Sequence, residues 1–199
     1  MSFYPPKISE RFRAPRNTGK AADGNGVGTS ATFVCGAVMR FTLLIEKETK
    51  KILAAKFQTN GCGYLIAAAD VLAERVIGKR LTTLHGLDKS VLRTEIESEL
   101  GLFGEHRKHC LELSLAGLQA AFADFRARQL EEWSGEKALI CTCFGVSEEV
   151  IETVIKTNAL RTVEDVTEKC SAGSGCGSCQ PLIQEILEDV SREGKIKRF

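Results

Sequence analysis

The sequence predicts an α+β fold, a small antiparallel sheet packed with helices, followed by a small helical domain. Three observations carry that expectation. Apolar residues alternate with period two early in the chain, the period lengthens to helical spacing after residue 60, and the last 60 or so residues are cysteine-rich and set off by a polar stretch.

Met39, Phe41, Leu43 and Ile45 fall on one face of Val38–Ile45, and a charged turn leads into a second run, Ile52–Thr59, so the pair reads as a β-hairpin. A weaker strand is expected at 27–34, after a glycine-rich stretch. Leu65, Ala69, Leu72 and Val76 form the first helical stripe, which ends near Gly78. A short helix is expected from Ser90 to Leu100, and a longer one carries Leu111, Leu115, Leu118, Phe122 and Phe125. The pattern then lapses into RARQLEEWSGEK, which places a domain over 1–128, a linker over 129–137 and a second domain over 138–199. In the second domain, helices are expected at 147–158, 162–170 and 181–191. Such a short domain has a marginal core and needs a staple.

Twenty-seven basic and 26 acidic residues are mixed along the 199-residue chain for a net charge of +1, so charge points to neither nucleic acid nor a membrane. The opening MSFYPPKISERFRAPRN lacks the apolar run of a signal peptide, and no stretch approaches the roughly 20 apolar residues of a spanning helix. A cytoplasmic protein is expected. In that reducing setting eight cysteines read as metal or redox chemistry before disulfides.

Four of them form Cys141-x-Cys143, a gap of 32 residues, and Cys176-x-x-Cys179 in the glycine-rich SAGSGCGSCQP. Glycines let backbone fold tightly round an inorganic centre, and Pro181 can open a helix just behind it. Spacing alone leaves zinc and an iron-sulfur centre both open. Cys170 is left over and reads as a packed helix residue. The stretch from ALICTCFG to CGSCQPLIQEIL resembles the [2Fe-2S] domain of NifU and of bacterioferritin-associated ferredoxin. That resemblance implies a permanent [2Fe-2S] cluster on Cys141, Cys143, Cys176 and Cys179.

Cys35 in FVCGAV, Cys62 in TNGCGYL and Cys110 in RKHCLEL are distant in sequence, and each taken alone reads as a core cysteine. Two are flanked by glycine, however, and Cys110 follows His109, giving two soft ligands side by side. Cys62 is expected at a helix N-terminus, where the dipole favours a thiolate. Neighbours on one helix point about 100° apart, which argues against a Cys110–His109 nucleophilic pair. No nucleotide loop or flavin fingerprint is present, so an enzyme is not expected.

YPPKISERFRAPRNTG, CGAVMRF, FQTNGCGYLIAAAD and HCLELSLAGLQAAF resemble, in order, the opening and the three cysteine motifs of the IscU/NifU scaffold family. The resemblance implies an IscU/NifU-like fold and a transient cluster, iron or zinc at Cys35, Cys62, His109 and Cys110. It also implies sulfur from a cysteine desulfurase, accepted at Cys110 as a persulfide. Apo iron-sulfur proteins would be the acceptors, with an electron donor and a homodimer as further expectations. Ala37 stands where the family has an aspartate, GEHRK replaces its proline-containing chaperone-docking motif, and no C-terminal Nfu-type domain is expected in a sequence running to Phe199. Two other readings stay open: a ferredoxin-like electron-transfer protein with a degenerate scaffold domain, and a zinc-stabilised interaction module. His85 and Trp133 read as loop and linker residues, and His106 as a polar neighbour of the site.

Overall fold

A computed structural model describes residues 3–84, 89–131 and 137–196; His85, Trp133 and residues 132–136 of the expected linker lie outside them. The chain divides into two compact units, the first built on most of the residues up to Phe125 and the second on Arg126 onward together with Lys47–Lys50.

In the first unit, α1 (Pro6–Arg13) precedes an antiparallel sheet of β1 (Gly26–Ala31), β2 (Val38–Ile45) and β3 (Ile52–Thr59), ordered β1-β2-β3. The alternation in β2 does what its period implies: Met39, Phe41, Leu43 and Ile45 are all buried. Phe41 pairs with Phe57 across β3, with ring centroids 6.2 Å apart. A bulge at Leu44/Ile45 shifts the register, so Ile52 as well as Ala55 and Phe57 faces inward.

β1 ends three residues earlier than its apolar composition suggested. The ladder stops at Ala31 opposite Val38, and Thr32 N–H closes on the Ala37 carbonyl at 3.0 Å. Phe33 and Val34 therefore stand exposed on a hairpin loop instead of continuing the strand. That loop carries Cys35 at its tip, next to Gly36 at φ +68°.

After β3 come α2 (Gly63–Val76), the single-turn α3 (Leu81–Leu84), α4 (Lys89–Leu100), a 3₁₀ turn (Glu105–Arg107) and α5 (Lys108–Glu131). Leu65, Ala69, Leu72 and Val76 of α2 are buried as their spacing implies, and Gly78 at φ +82° lies just beyond the helix. α5 presses Leu111, Leu118 and Phe125 into the core. Its approach to β1 is close. A Cβ on Gly28 would sit 2.0 Å from the Ala121 nitrogen and 2.4 Å from the Gly117 oxygen, a gap only glycine fits. Val27 N–H donates to Asp124 Oδ2 and Ser30 Oγ to the Leu113 carbonyl, both at 2.8 Å. α5 continues to Glu131, so the expected linker at 129–137 opens on three helical residues; Arg, Ala, Gln, Leu and Glu are all good helix formers.

The second unit holds a short hairpin, β4 (Leu139–Cys141) with β5 (Val146–Ser147), and the helices α6 (Glu148–Asn158), α7 (Val163–Cys170) and α8 (Gln180–Ile196). Ser147 caps α6 by accepting from Val150 N–H, and Thr162 caps α7 by accepting from Asp165 N–H. Ala159 and Ser171 end the two helices in left-handed conformations. The core is small: Phe144, Val146, Ile151, Ile155, Val166, Ile183 and Leu187.

Candidate cluster and metal sites

The first unit brings together the four side chains that the sequence singled out. Cys35 arrives on the β1–β2 loop, Cys62 is the N-cap of α2, and His109 and Cys110 lie in the first turn of α5. His109 Nε2 is 3.5 Å from Cys35 Sγ and 3.5 Å from Cys110 Sγ, and Cys62 Sγ is 3.9 Å from Cys110 Sγ. Their adjacency in sequence does not keep His109 and Cys110 apart, contrary to the expectation from helix geometry. The ring turns back over the neighbouring thiol and bridges it to Cys35.

Exposure falls across the set, from Cys35 at the surface through half-buried Cys62 to Cys110 at 1%. The thiols differ electrostatically too. Cys62 is held well below the ordinary thiol range by the Cys110 thiol beside it, with help from the first-turn amides of Leu65 and Tyr64 and from the charge of Arg107. Cys110 is pushed up by sharing that contact and by burial.

Tetrahedral zinc with sulfur at 2.3 Å and imidazole nitrogen near 2.0 Å sets ligand atoms roughly 3.5–3.8 Å apart. The two pairs made by His109, at 3.5 Å, fall within that range, and the Cys62–Cys110 pair, at 3.9 Å, is slightly wider. Among the described residues, however, no three or more His, Cys, Asp or Glu side chains close into a ready cage. The donors adjoin in pairs and need a small convergence to bind. Ala37, at 4% exposure, offers a methyl and no ligand atom.

Sequence reasoning missed what surrounds Cys62. Tyr4 Oη accepts from Gly63 N–H at 3.1 Å, so the N-terminal segment caps α2 one residue after Cys62. Tyr64 stacks edgewise on Tyr4 and on Phe103, and Arg107 lies over the Tyr64 ring. Only the aromatic content of YPPK and GYL signalled this cluster. His106 is exposed on the 3₁₀ turn and takes no part.

In the second unit, Cys143 Sγ lies 3.5 Å from Cys176 Sγ, and the thiols of Cys141 and Cys179 adjoin each other. Cys141 comes from β4, Cys143 from the turn before β5, and the other two from the loop into α8. That loop needs its glycines. Gly173 and Gly177 have φ of +86° and +77°, and a Cβ on Gly175 would meet Cys143 Cβ at 3.0 Å. Burial pushes the Cys179 thiol up to about 11, whereas the Ser178 hydroxyl and amide hold exposed Cys176 down at about 7. Two close thiol pairs on two short loops fit a four-thiolate cluster. Cys170 is separate in role: its buried thiol donates to the Val166 carbonyl of its own helix at 3.2 Å.

No helix among the described residues is long and apolar enough to cross a membrane. The family of NifU-like N-terminal domains matches residues 3–132, and the family of BFD-like [2Fe-2S] binding domains matches residues 139–189. The chain is 34% identical over 189 residues to the nitrogen fixation protein NifU of Azotobacter chroococcum mcd 1, covering 95% of this chain and 60% of that protein. It is 36% identical over 130 residues to the iron-sulfur cluster assembly scaffold protein IscU of Aquifex aeolicus, covering 65% of this chain and 80% of that one. The chain thus spans about 60–65% of the length of the NifU proteins that it matches along nearly its whole extent. Among solved structures, the N-terminal part of a nitrogen-fixing NifU-like protein from Brucella abortus aligns with a TM-score of 0.41 at 19% identity, over 65% of this chain and 95% of that one.

Proposed function

Because this chain belongs to the NifU-like N-terminal domain family and carries a BFD-like [2Fe-2S] binding domain after it, we propose that it is a scaffold on which iron-sulfur clusters are assembled and from which they are delivered to apo-proteins. The observation that carries the reading is the row of contacts that links residues of three separate segments, Cys35 to His109 at 3.5 Å, His109 to Cys110 at 3.5 Å and Cys110 to Cys62 at 3.9 Å. Three thiolates and an imidazole bind iron and cluster cargo less securely than four thiolates do, which suits cargo that has to leave.

Sulfur reaches the site from a cysteine desulfurase. Cys35, on an exposed loop between Phe33 and the glycine at 36, is the thiol an outside donor meets first, and Cys110 is the one most deeply held.

Cys141, Cys143, Cys176 and Cys179 hold a resident [2Fe-2S] cluster, which when bound supplies one-electron transfer. Cys176 and the open groove beside it, about 530 Å³ and bordered by Glu164, Glu168 and Ser174, form the edge that an electron donor can approach. The protein works as a homodimer in the cytoplasm and is not itself an enzyme.

The test is anaerobic purification, visible spectroscopy, iron and sulfide counts with a desulfurase present, and transfer to an apo-ferredoxin. Cys35→Ala, Cys62→Ala and Cys110→Ala are each expected to abolish the transferable cluster and leave the second unit's colour unchanged. Unaltered stoichiometry in all three variants would reduce these cysteines to core packing.

A further inference from the structure

Arg107, the last residue of the 3₁₀ turn before α5, is half-buried, yet among the described residues no carboxylate pairs with it. Its neighbour Glu105 is engaged by Lys108. The guanidinium carbon instead lies 5.3 Å from the centroid of the Tyr64 ring, and Nη1 is 4.0 Å from Cys62 Sγ, at the outer limit of a hydrogen bond to sulfur. Tyr64 is in turn braced by Tyr4 and Phe103, each ring 5.5 Å away. A partly desolvated cation normally meets an acid. This one meets the sulfur of Cys62, whose thiol adjoins Cys110.

We infer that Arg107 is a positioning residue that balances the negative charge of the loaded first site, donating to sulfur at Cys62 while the Tyr64 face fixes its plane. The inference rests on the reading that Cys35, Cys62, His109 and Cys110 hold metal or cluster cargo. Three thiolates outweigh the charge of a dication or of an oxidised [2Fe-2S] core, so the loaded site is a net anion in a half-buried place. A fixed, non-titrating cation nearby stabilises it. Among the rest of the charged residues of this unit, Arg107 is singled out by the sulfur contact. Lysine keeps the charge but not the planar stacking, so charge and stacking can be separated.

The experiment uses the full-length, metal-free, reduced chain. Zn2+ is titrated in, each sample is pulsed with iodoacetamide, and alkylation of every cysteine is read by peptide mass spectrometry. The zinc concentration giving half-protection of Cys35, Cys62 and Cys110 is compared with that for Cys141, Cys143, Cys176 and Cys179. Arg107→Gln is expected to raise the first value roughly tenfold and leave the second unchanged. Arg107→Lys is expected to fall in between, and the difference from wild type to shrink in 1 M salt. The inference is overturned if Arg107→Gln protects like wild type, if both sites weaken together, or if the lysine variant loses as much as glutamine with no salt effect. Wild-type protein whose Cys35, Cys62 and Cys110 are never protected would instead sink the site reading on which the inference stands.

Discussion

Arg11 and Asp70, 59 residues apart in sequence, are joined by a 2.8 Å ion pair in which the carboxylate is wholly buried. Asp70 also accepts from the backbone amides of Arg16 and Asn17, and Arg11 reaches Glu74 and Glu99 as well. The segment carrying Tyr4 is thereby fastened to α2.

Replacing Arg11 by leucine leaves a buried carboxylate with its cation gone, and we expect a loss of about 3 kcal/mol in urea unfolding of the full chain. The pair of Arg11 with Glu74 adds a pH signature. Arg11 holds the Glu74 carboxyl below the usual carboxylate range, so its contribution is present above the unfolded value near pH 4.3 and is lost as pH falls through the lower folded value. Acidification should therefore destabilise the wild type more than Arg11→Leu; equal acid sensitivity would count against the pairing.

A fragment of residues 137–199 should bind a [2Fe-2S] cluster alone, because its core is too small to fold well without a metal staple. Helix content by circular dichroism should rise with cluster binding, and Cys141→Ser or Cys176→Ser should bleach it. Full helicity of a metal-free, colourless fragment would remove the cluster from its role.

Cys176 in the apo-protein should react with iodoacetamide fastest of the second unit's cysteines at neutral pH. Its thiol ionises near 7 because Ser178 hydrogen-bonds the thiolate, so the rate should climb through pH 7. In Ser178→Ala that rise should move upward toward the ordinary thiol range. An unshifted profile would mean that the neighbouring thiol, not the serine, sets the value.

Ala37→Asp tests the methyl that stands in place of a possible oxygen ligand. A carboxylate at this buried position costs about 1–3 kcal/mol in the apo-protein. It should in return speed cluster transfer to an apo-acceptor and raise sensitivity to chelators, with the second cluster untouched. Equal or slower transfer under anaerobic conditions refutes the idea.

How much the sequence disclosed follows from the range of the forces involved. Alternation in β2 and the stripe of α2 are local patterns that burial enforces directly, and both read true at Phe41 and Leu72. The paired cysteines of the second unit were visible because their chemistry demands fixed spacing. α1 was not anticipated: eight residues have little helical stability of their own, and this helix is held by Arg11 reaching an acid 59 positions away. Phe33 and Val34 looked like strand because composition cannot tell a core position from one displaced onto the loop that carries Cys35. Arg107 resembles any surface arginine until Tyr64 and Cys62 are seen beside it.

The hydroxyl of Tyr4 at the amide of Gly63 has a practical corollary for anyone handling the protein. A purification tag fused ahead of residue 3 joins the chain just before Tyr4, whose hydroxyl meets the amide of the residue that follows Cys62. A run of histidines there would add competing imidazoles to a chain with a candidate soft-metal site and distort zinc or iron determinations. The tag belongs at the opposite terminus, or must be cleaved before any metal is counted.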